Sequence, residues 1–584
     1  MSSVELGEPQ TDFARWNRLW QMVVSAPGLA ILAGILHAAT FPPVGLAWVE
    51  WFALVPLLAL IEKPGRPAKL YLSAWLGGLV FWVFSLQWLW ELHPDAWLGW
   101  LALAVYMSLY WPLFLGFARR LVALRVPMVL SAPVAWLACD YLQSFLLSGL
   151  PWYYPAQSQY QFLPIIQVSD LLGVWLVSAL IVMSNAALLT LIQVIIRSIP
   201  PAAVPATPRT LIWPGLTAAL LSLSLIYGYY RINQAQFTPG PDVILLQSNL
   251  RQALKMGMSA EDIVRIYVKL IESGLEKSRT RSSDAGSLVI WPETSYPWGY
   301  VWVDENLTPD QAAESGRKIF PAWSLAEVLN LRTETARDLN ELSRAIGRPM
   351  IVGSVLYELL PDRGQKSNAA IWIDGKSDRP QLYRKIHLLP FGEYVPLVET
   401  FPWIKRLAPY EDNHVPNLVS GGSPTWFDEG PIRYAPVICF EDSVPYLVRR
   451  FFTETKDGRP PDVIVNISND GWFNGSAEHE MHLATSVFRC VEHRAPMVRA
   501  SNMGLSAIVD GNGQVLTVQA TKTEGAVTAP VPLDPRQTVY TLVGDIFPQA
   551  CLTVSIACFA ITVMSSPNSR IRKNPRSTPS SRLA

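Results

Sequence analysis

Long apolar runs fill residues 1–230, short apolar segments alternating with polar ones fill 231–545, and one last apolar run precedes a basic tail. About 20 consecutive apolar residues suffice to cross a bilayer as a helix. Eight runs meet that expectation, at roughly 26–42, 46–62, 70–92, 97–118, 127–147, 166–196, 210–228 and 546–565. The second is the weakest, because Glu50 and Pro56 interrupt it. The pattern predicts a seven-helix transmembrane domain over 1–230, a water-facing domain over 231–545, and an eighth helix with its tail over 546–584.

In the middle region the runs Asp242–Asn249, Ser287–Thr294, Pro349–Leu356, Asn368–Asp374, Ala435–Asp442 and Asp462–Asn469 read as buried strands ended by polar residues. Amphipathic helical patterns intervene at 259–279, 324–347, 443–455 and 478–494. Two later strands, Leu505–Val509 and Ala526–Val531, are expected on either side of the turn Asp510-Gly511-Asn512-Gly513. Alternating elements of this kind predict a layered α/β domain, whose sites collect at the carboxyl ends of strands.

Composition supports the division. Only 16% of the 584 residues are charged and 50% are hydrophobic, against about 25% charged in ordinary soluble domains. Mean hydropathy is +0.21, and there are 23 Trp. A disordered chain, a disulfide scaffold and an ordinary soluble enzyme are excluded. The 47 basic and 47 acidic residues balance, so no nucleic-acid partner is expected.

Basic residues set the orientation. Arg15 and Arg18 precede the first run; Lys63, Arg66 and Lys69 follow the second; Arg119, Arg120 and Arg125 follow the fourth. Arg197 and Arg209 follow the sixth, and Arg570, Arg572, Lys573, Arg576 and Arg582 lie in the tail. The intervening short loops at 43–45, 93–96 and 148–165 carry no Lys or Arg. Both termini are therefore expected in the cytoplasm and 231–545 on the opposite face. No cleavable signal peptide is read in the first 25 residues.

Of five cysteines, Cys139, Cys551 and Cys558 fall in expected spans. Cys439 and Cys490 belong to the middle region, where they could pair as a disulfide, or Cys490 could simply be core in its helical pattern. Three strand ends carry chemistry: Glu293 after Ser287–Trp291, Cys439-Phe440-Glu441-Asp442 after Pro436–Ile438, and Lys385 between them. A thiol needs an adjacent base, which Glu293 can supply. A tetrahedral intermediate needs a positive or N–H-rich pocket, which Lys385 and the Phe440 backbone N–H can supply. His479-Glu480-Met481-His482 is not the H-E-x-x-H metalloprotease spacing and reads as a surface helix face. No metal, nucleotide or other cofactor is expected.

Val289-Ile290-Trp291-Pro292-Glu293-Thr294, Tyr383-Arg384-Lys385 with Pro390-Phe391-Gly392-Glu393-Tyr394-Val395-Pro396, and Ile438-Cys439-Phe440-Glu441 resemble the three signature stretches of apolipoprotein N-acyltransferase, the membrane branch of the nitrilase superfamily. Asn466–Phe473, Arg499–Gly504 and the loop Gly149-Leu150-Pro151-Trp152 resemble it too. The resemblance implies an extracytoplasmic nitrilase-like α-β-β-α sandwich carried by eight transmembrane helices in a bacterial inner membrane. It implies a catalytic triad of Glu293, Lys385 and Cys439, with Glu393 and Glu441 as supporting acids and Phe440 at the oxyanion position. The implied reaction moves an acyl chain from a membrane phospholipid, through a Cys thioester, to the α-amino group of a diacylglyceryl-cysteine apolipoprotein. A membrane-anchored amidase using water as acceptor is the alternative. Four positions depart from the pattern: Phe440 lacks the usual tyrosine hydroxyl, Met256 replaces a Trp, and Asp140 and Gln143 replace the Glu and Arg of Glu-x-x-Arg. The aromatic stretches Tyr296–Trp302 and Phe401–Ile404 are expected as lipid-contacting loops beside the triad.

Overall fold

The computed structural model describes residues 21–92, 96–198, 208–279, 287–377, 379–396, 398, 400–403 and 417–564. Among them, five helices are long and apolar enough to cross a membrane: Pro67–Ser85, Ala96–Ala123, Val174–Ser198, Thr210–Asn233 and Ile546–Met564. The other three expected runs are shorter or broken. Ala26–Ala38 has 13 residues, the second run splits into Glu50–Ala53 and Val55–Glu62, and Met128–Gln143 has 16 residues with Pro133 inside. At 1.5 Å per residue such helices fall short of the roughly 30 Å hydrocarbon core. The run expected at 166–196 becomes a long helix only at Val174, after Gly173 at φ 73° ends the short turn Ser169–Leu172. Glu50, the polar interruption, is buried against His37 Nδ1 at 2.8 Å. Arg15, Arg18, Arg570, Arg572, Lys573, Arg576 and Arg582 lie outside the described residues, as do positions 93–95 of one loop without Lys or Arg.

The middle region forms two sheets. The first joins β1 (Thr238–Gln247), β2 (Ser287–Ile290), β3 (Tyr296–Val303), β4 (Met350–Leu359), β5 (Gly364–Ile373), β6 (Gln381–Arg384) and β13 (Gly525–Leu533), in the order β13-β1-β2-β4-β5-β6 with β3 also paired to β4. The second is β12-β11-β10-β9-β8-β7, from β7 (Phe427–Glu429), β8 (Ile432–Ile438), β9 (Val463–Ser468), β10 (Met497–Ser501), β11 (Ala507–Val509) and β12 (Val515–Val518). β1, β2 and β4 run parallel, as do β8, β9 and β10. Such strands are buried on both faces, so they read as continuous apolar runs. In β1, Val243 and Leu245 share a core with Val437 and Val465 of the second sheet. Ile244 and Leu246 turn the other way, onto Ile263 and Tyr267 of the helix Ala260–Arg279. Helix, sheet, sheet, helix is the layering this produces, with Glu478–His493 on the far side.

Two expectations fail in this region. Tyr296–Trp302 is not a loop but most of β3, which pairs with β4 through Tyr300↔Leu356 and Trp302↔Glu358. Pro297 and Gly299 (φ 75°) masked it, and the register slips between Tyr296 and Tyr300, around those two residues. Tyr296 and Tyr300 are buried, and Trp298 and Trp302 pack on the core beneath the first sheet. The turn at Asp510–Gly513 leads into β12, not β13. β13 instead crosses to the first sheet and pairs antiparallel with β1.

Candidate active site

The parallel strands deliver their carboxyl ends to one edge of the sandwich. Glu293 follows β2, Lys385 follows β6, Cys439 follows β8, and Asn469 follows β9. Each is held by a distinct local device. The Glu293 turn lies directly on β4: a Cβ at Gly353 would come within 2.2 Å of the Pro292 carbonyl oxygen. The next residue, Thr294, is left-handed at φ 47°, and its carbonyl accepts from Lys255 Nζ at 2.5 Å. Cys439 is itself left-handed at φ 54°, on a tight turn between β8 and the 3-10 helix Cys439–Ser443. A non-glycine residue in that region is strained and needs its surroundings to hold it.

The surroundings are explicit. Glu441 Oε2 accepts from the Ile438 N–H at 2.7 Å and the Tyr383 hydroxyl at 2.8 Å. Its Oε1 accepts from the Ile386 N–H at 2.6 Å and the His387 N–H at 2.9 Å. One buried carboxylate thus ties the cysteine turn to the segment carrying Lys385. Burial pushes Glu441 up to about 7 despite those N–H donors.

Lys385 is buried and its Nζ lies 3.0 Å from Glu393 Oε1 and 3.3 Å from Glu293 Oε1. Burial opposes its charge, but the two carboxylates outweigh burial and hold the ammonium well above its ordinary value. Asn368 donates to both acids, at 2.6 Å to Glu293 and 2.9 Å to Glu393. The remaining Glu293 oxygen accepts from the Asn469 N–H at 2.9 Å, and the remaining Glu393 oxygen from the Leu389 N–H at 2.9 Å. The Cys439 thiol is pushed up to about 12, first by burial, then by the Glu293 charge, with Lys385 pulling the other way. It therefore rests as a thiol and reacts only when a neighbour takes its proton.

All six predicted residues, Glu293, Lys385, Cys439, Phe440, Glu393 and Glu441, thus come together at one edge. Others were missed. Asn368 looked like the first residue of a strand, yet it bridges the two acids. His482 was read as surface; it is buried, with Nε2 at 2.9 Å from Asp442 Oδ1 and 3.2 Å from the Cys439 carbonyl. The His479–His482 stretch lies on the inward side of its helix, and both imidazoles are buried. Asp470, Glu478 and His482 come close enough to hold a metal, but Arg499 already fills the cluster, with Nη2 at 2.8 Å from Asp470 and 2.6 Å from His482. All five cysteines are free, and Cys490 is fully buried core.

The departures also have places. Gln143 donates to the Leu150 carbonyl and the Trp152 carbonyl, both at 2.9 Å, and so holds the Trp152 loop. The Trp152 ring lies against Phe440, 5.8 Å between centroids. The side chain of Met256 lies outside the described residues. Phe401 and Trp403 are exposed, and Ile404 lies outside the described residues.

A two-sheet α/β domain with a carboxylate, a lysine and a strained cysteine at its strand ends fits a carbon–nitrogen hydrolase fold. The carbon-nitrogen hydrolase family model matches residues 245–540, and the apolipoprotein N-acyltransferase N-terminal domain matches residues 33–187. A curated relative from Geobacter metallireducens, an apolipoprotein N-acyltransferase, is 28% identical over 90% of this chain and 92% of its own length. Another of that name, from Rhodopirellula baltica, is 27% identical over 88% of this chain and 93% of its own. Among solved structures, an amidase from Nesterenkonia sp. AN1 is 15% identical over 51% of this chain and 93% of its own, with a TM-score of 0.33. The chain belongs to the carbon-nitrogen hydrolase family, in its apolipoprotein N-acyltransferase branch. It is an acyltransferase.

Proposed function

We propose that Cys439 carries the acyl group as a thioester between a membrane phospholipid and the α-amino group of a diacylglyceryl-cysteine apolipoprotein. The observation that carries this reading is the Lys385 ammonium shared between Glu293 and Glu393 beside a thiol pushed up to about 12. Glu293 takes the Cys439 proton as sulfur attacks the ester carbonyl carbon. The carbonyl π pair moves onto oxygen, which Lys385 and the Phe440 N–H stabilise. Collapse breaks the ester C–O bond, and Glu293 returns the proton to the departing lysophospholipid. In the second half the lipoprotein amine attacks the thioester carbon, Glu293 accepts an amine proton, and the thiol is regenerated. Glu393 balances Lys385, and Glu441 holds the cysteine turn.

In this reading residues 1–230 and 546–584 anchor the enzyme in a bacterial inner membrane by eight passes, five of them full-length helices and three completed by the apolar residues that adjoin the shorter helices Ala26–Ala38, Val55–Glu62 and Met128–Gln143, with both termini cytoplasmic and 231–545 outside. The exposed apolar faces of Thr210–Asn233 and Ile546–Met564 support a lipid surround. No cofactor enters the scheme. The test is mass spectrometry of a model lipoprotein's N-terminal peptide after incubation with phospholipid and enzyme. A mass gain of one acyl chain on the α-amine supports the transferase. Free fatty acid without acylated peptide favours the hydrolase. Cysteine labelling at the exposed Glu314 and at Gly65 tests the orientation, since the two should be reached from opposite faces.

A further inference from the structure

A buried polar cluster lies behind Cys439, and its members converge on one backbone oxygen. The Cys439 carbonyl accepts from Asn466 Nδ2 at 2.9 Å and faces His482 Nε2 at 3.2 Å. Arg499 stands behind both. Its Nη1 donates to Asn466 Oδ1 at 3.1 Å, and its Nη2 donates to His482 Nδ1 at 2.6 Å. A guanidinium has only N–H donors. Asn466 must therefore turn its oxygen to Arg499 and its amide N–H to Cys439. Arg499 at 2.6 Å likewise asks His482 Nδ1 to accept, against the Asp442 and Asp470 carboxylates that favour the protonated imidazole; in either form Nε2 carries a proton and faces the Cys439 carbonyl and Asp442. Arg499 is itself fixed by Asp442 at 3.0 Å and Asp470 at 2.8 Å, and all five side chains are buried.

The peptide between Cys439 and Phe440 is planar, so its C=O and N–H point in opposite directions. Gripping the carbonyl from behind aims the Phe440 N–H forward. Donors on the carbonyl also polarise the peptide and strengthen its N–H as a donor. We propose that Arg499, Asn466 and His482 are positioning residues that orient the Phe440 N–H toward the developing oxyanion. The proposal rests on the thioester reading above. Arg499 acts through the other two, by fixing the amide orientation of one and lying against Nδ1 of the other. It also gives the left-handed Cys439 a reason to stay strained: that turn is what presents its carbonyl to the cluster and its N–H neighbour to the substrate.

Two reactions of Cys439 separate this role from a structural one. Acyl-adduct formation from phospholipid passes through an oxyanion. Alkylation by iodoacetamide does not, though it needs the same thiol and base. The full-length enzyme in mixed phospholipid–detergent micelles is used for both. Asn466→Asp keeps the oxygen facing Arg499 and replaces the donor by a second oxygen. Adduct formation should fall about 10²–10³-fold, the usual cost of one oxyanion donor, while alkylation stays near the wild-type rate. His482→Phe should behave alike, and His482→Gln, which can reach the carbonyl with an amide N–H, should recover most of the rate. Wild-type adduct formation in Asn466→Asp would overturn the proposal. So would equal loss of both reactions, or loss of the folded protein, since the cluster would then hold the fold and not the N–H. If His482→Phe does not fold, Asn466→Asp decides alone. Absence of any adduct on Cys439 in the wild-type enzyme would instead refute the thioester reading itself.

Discussion

The indole N–H of Trp152 donates to Ser443 Oγ at 2.7 Å, although the two residues lie 291 positions apart. Trp152 belongs to the loop between two apolar helices, and Ser443 closes the 3-10 turn that begins at Cys439. The loop between the apolar helices is therefore bonded directly to the Cys439 turn. Trp152 is buried, its carbonyl is held by Gln143 at 2.9 Å, and the adjacent Tyr153 hydroxyl donates to the Ser85 carbonyl at 2.6 Å. Apolar helices and the Cys439 turn are thus joined by one hydrogen-bonded seam.

Trp152→Phe keeps the ring and deletes the donor. A buried hydrogen bond lost on one side costs about 1–3 kcal/mol, but Ser443 retains Thr485 at 3.1 Å. The lower end of that range is expected. Thermal inactivation of the detergent-solubilised enzyme should shift down by a few degrees, with a matching loss of acyl-adduct rate. Replacement of Gln143 by Leu, which frees two carbonyls, should cost more than Trp152→Phe; the reverse order would mean that the loop is held elsewhere.

Thiol ionisation and reactivity should move in opposite directions at Glu293. The Glu293 charge helps push Cys439 up to about 12, so Glu293→Gln should lower the thiol's titration midpoint in an ultraviolet absorbance titration. The same change removes the proton acceptor, so adduct formation at pH 7 should fall steeply. Lys385→Met removes a positive neighbour and should raise the midpoint further. Cys439→Ala should form no adduct at all. A Glu293→Gln enzyme that both ionises more easily and acylates faster would sink the general-base role.

Lys385 also carries a stability consequence. Removing one partner of a buried ion pair costs about 3–5 kcal/mol, and Lys385→Met strands two carboxylates. Glu393→Gln leaves Glu293 to pair with the ammonium and should cost less. The sign with pH follows from the raised Lys385. Its contribution is fully present below the unfolded lysine value of about 10.4 and is lost as pH rises through the higher folded value. Wild-type stability should therefore drop more steeply above about pH 10.4 than that of Lys385→Met. Parallel curves for the two in that range would show that the lysine is not held by the carboxylates in solution.

Much of this was legible in the chain because burial and chemistry left separate marks. β2, β8 and β9 are short, mostly apolar runs, and a residue just past each one, Glu293, Cys439 or Asn469, stands where parallel strands deliver their sites. The helix Leu325–Ile346 was legible in the amphipathic pattern of 324–347, and the structure adds the capping box of Ser324 and Glu327 that starts it. Residues that act through a second residue left no such mark. Asn368 and Asn466 are interior strand residues whose value lies in partners at other strands and strand ends of their own sheets. His482 looked exposed because Glu478, Glu480 and His479 surround it in sequence, yet Arg499 and Asp442 wait inside. β3 was hidden by Pro297 and Gly299, which normally argue against a strand. In the membrane region the weakness of the second run is marked in the chain by Glu50 and Pro56, whereas apolar content alone does not reveal how short the helices Ala26–Ala38 and Met128–Gln143 are.

The misread strand changes what its tryptophans should do. Trp298 and Trp302 pack on the core of the first sheet, and Trp302 stands opposite Glu358 of β4. Phe401 and Trp403 are different: they lie 46% and 61% exposed, a short way beyond Glu393. Large exposed aromatics suit a membrane–water interface. Replacing Trp298 and Trp302 by Ser should therefore weaken the domain, because large-to-small changes in packed sites cost about 3–5 kcal/mol for an aromatic when fully buried and somewhat less here. Acylation should fall equally with a membrane phospholipid and with a short-chain, water-soluble ester, in step with a lower inactivation temperature. Phe401→Ser with Trp403→Ser should leave that temperature unchanged and slow only the reaction with the membrane donor. The two double variants thus separate packing from lipid access in one assay. If the Trp298 and Trp302 pair proved selective for the membrane donor at unchanged stability, β3 would have to leave its place beside β4 during the reaction, and its packed position would describe only the resting enzyme.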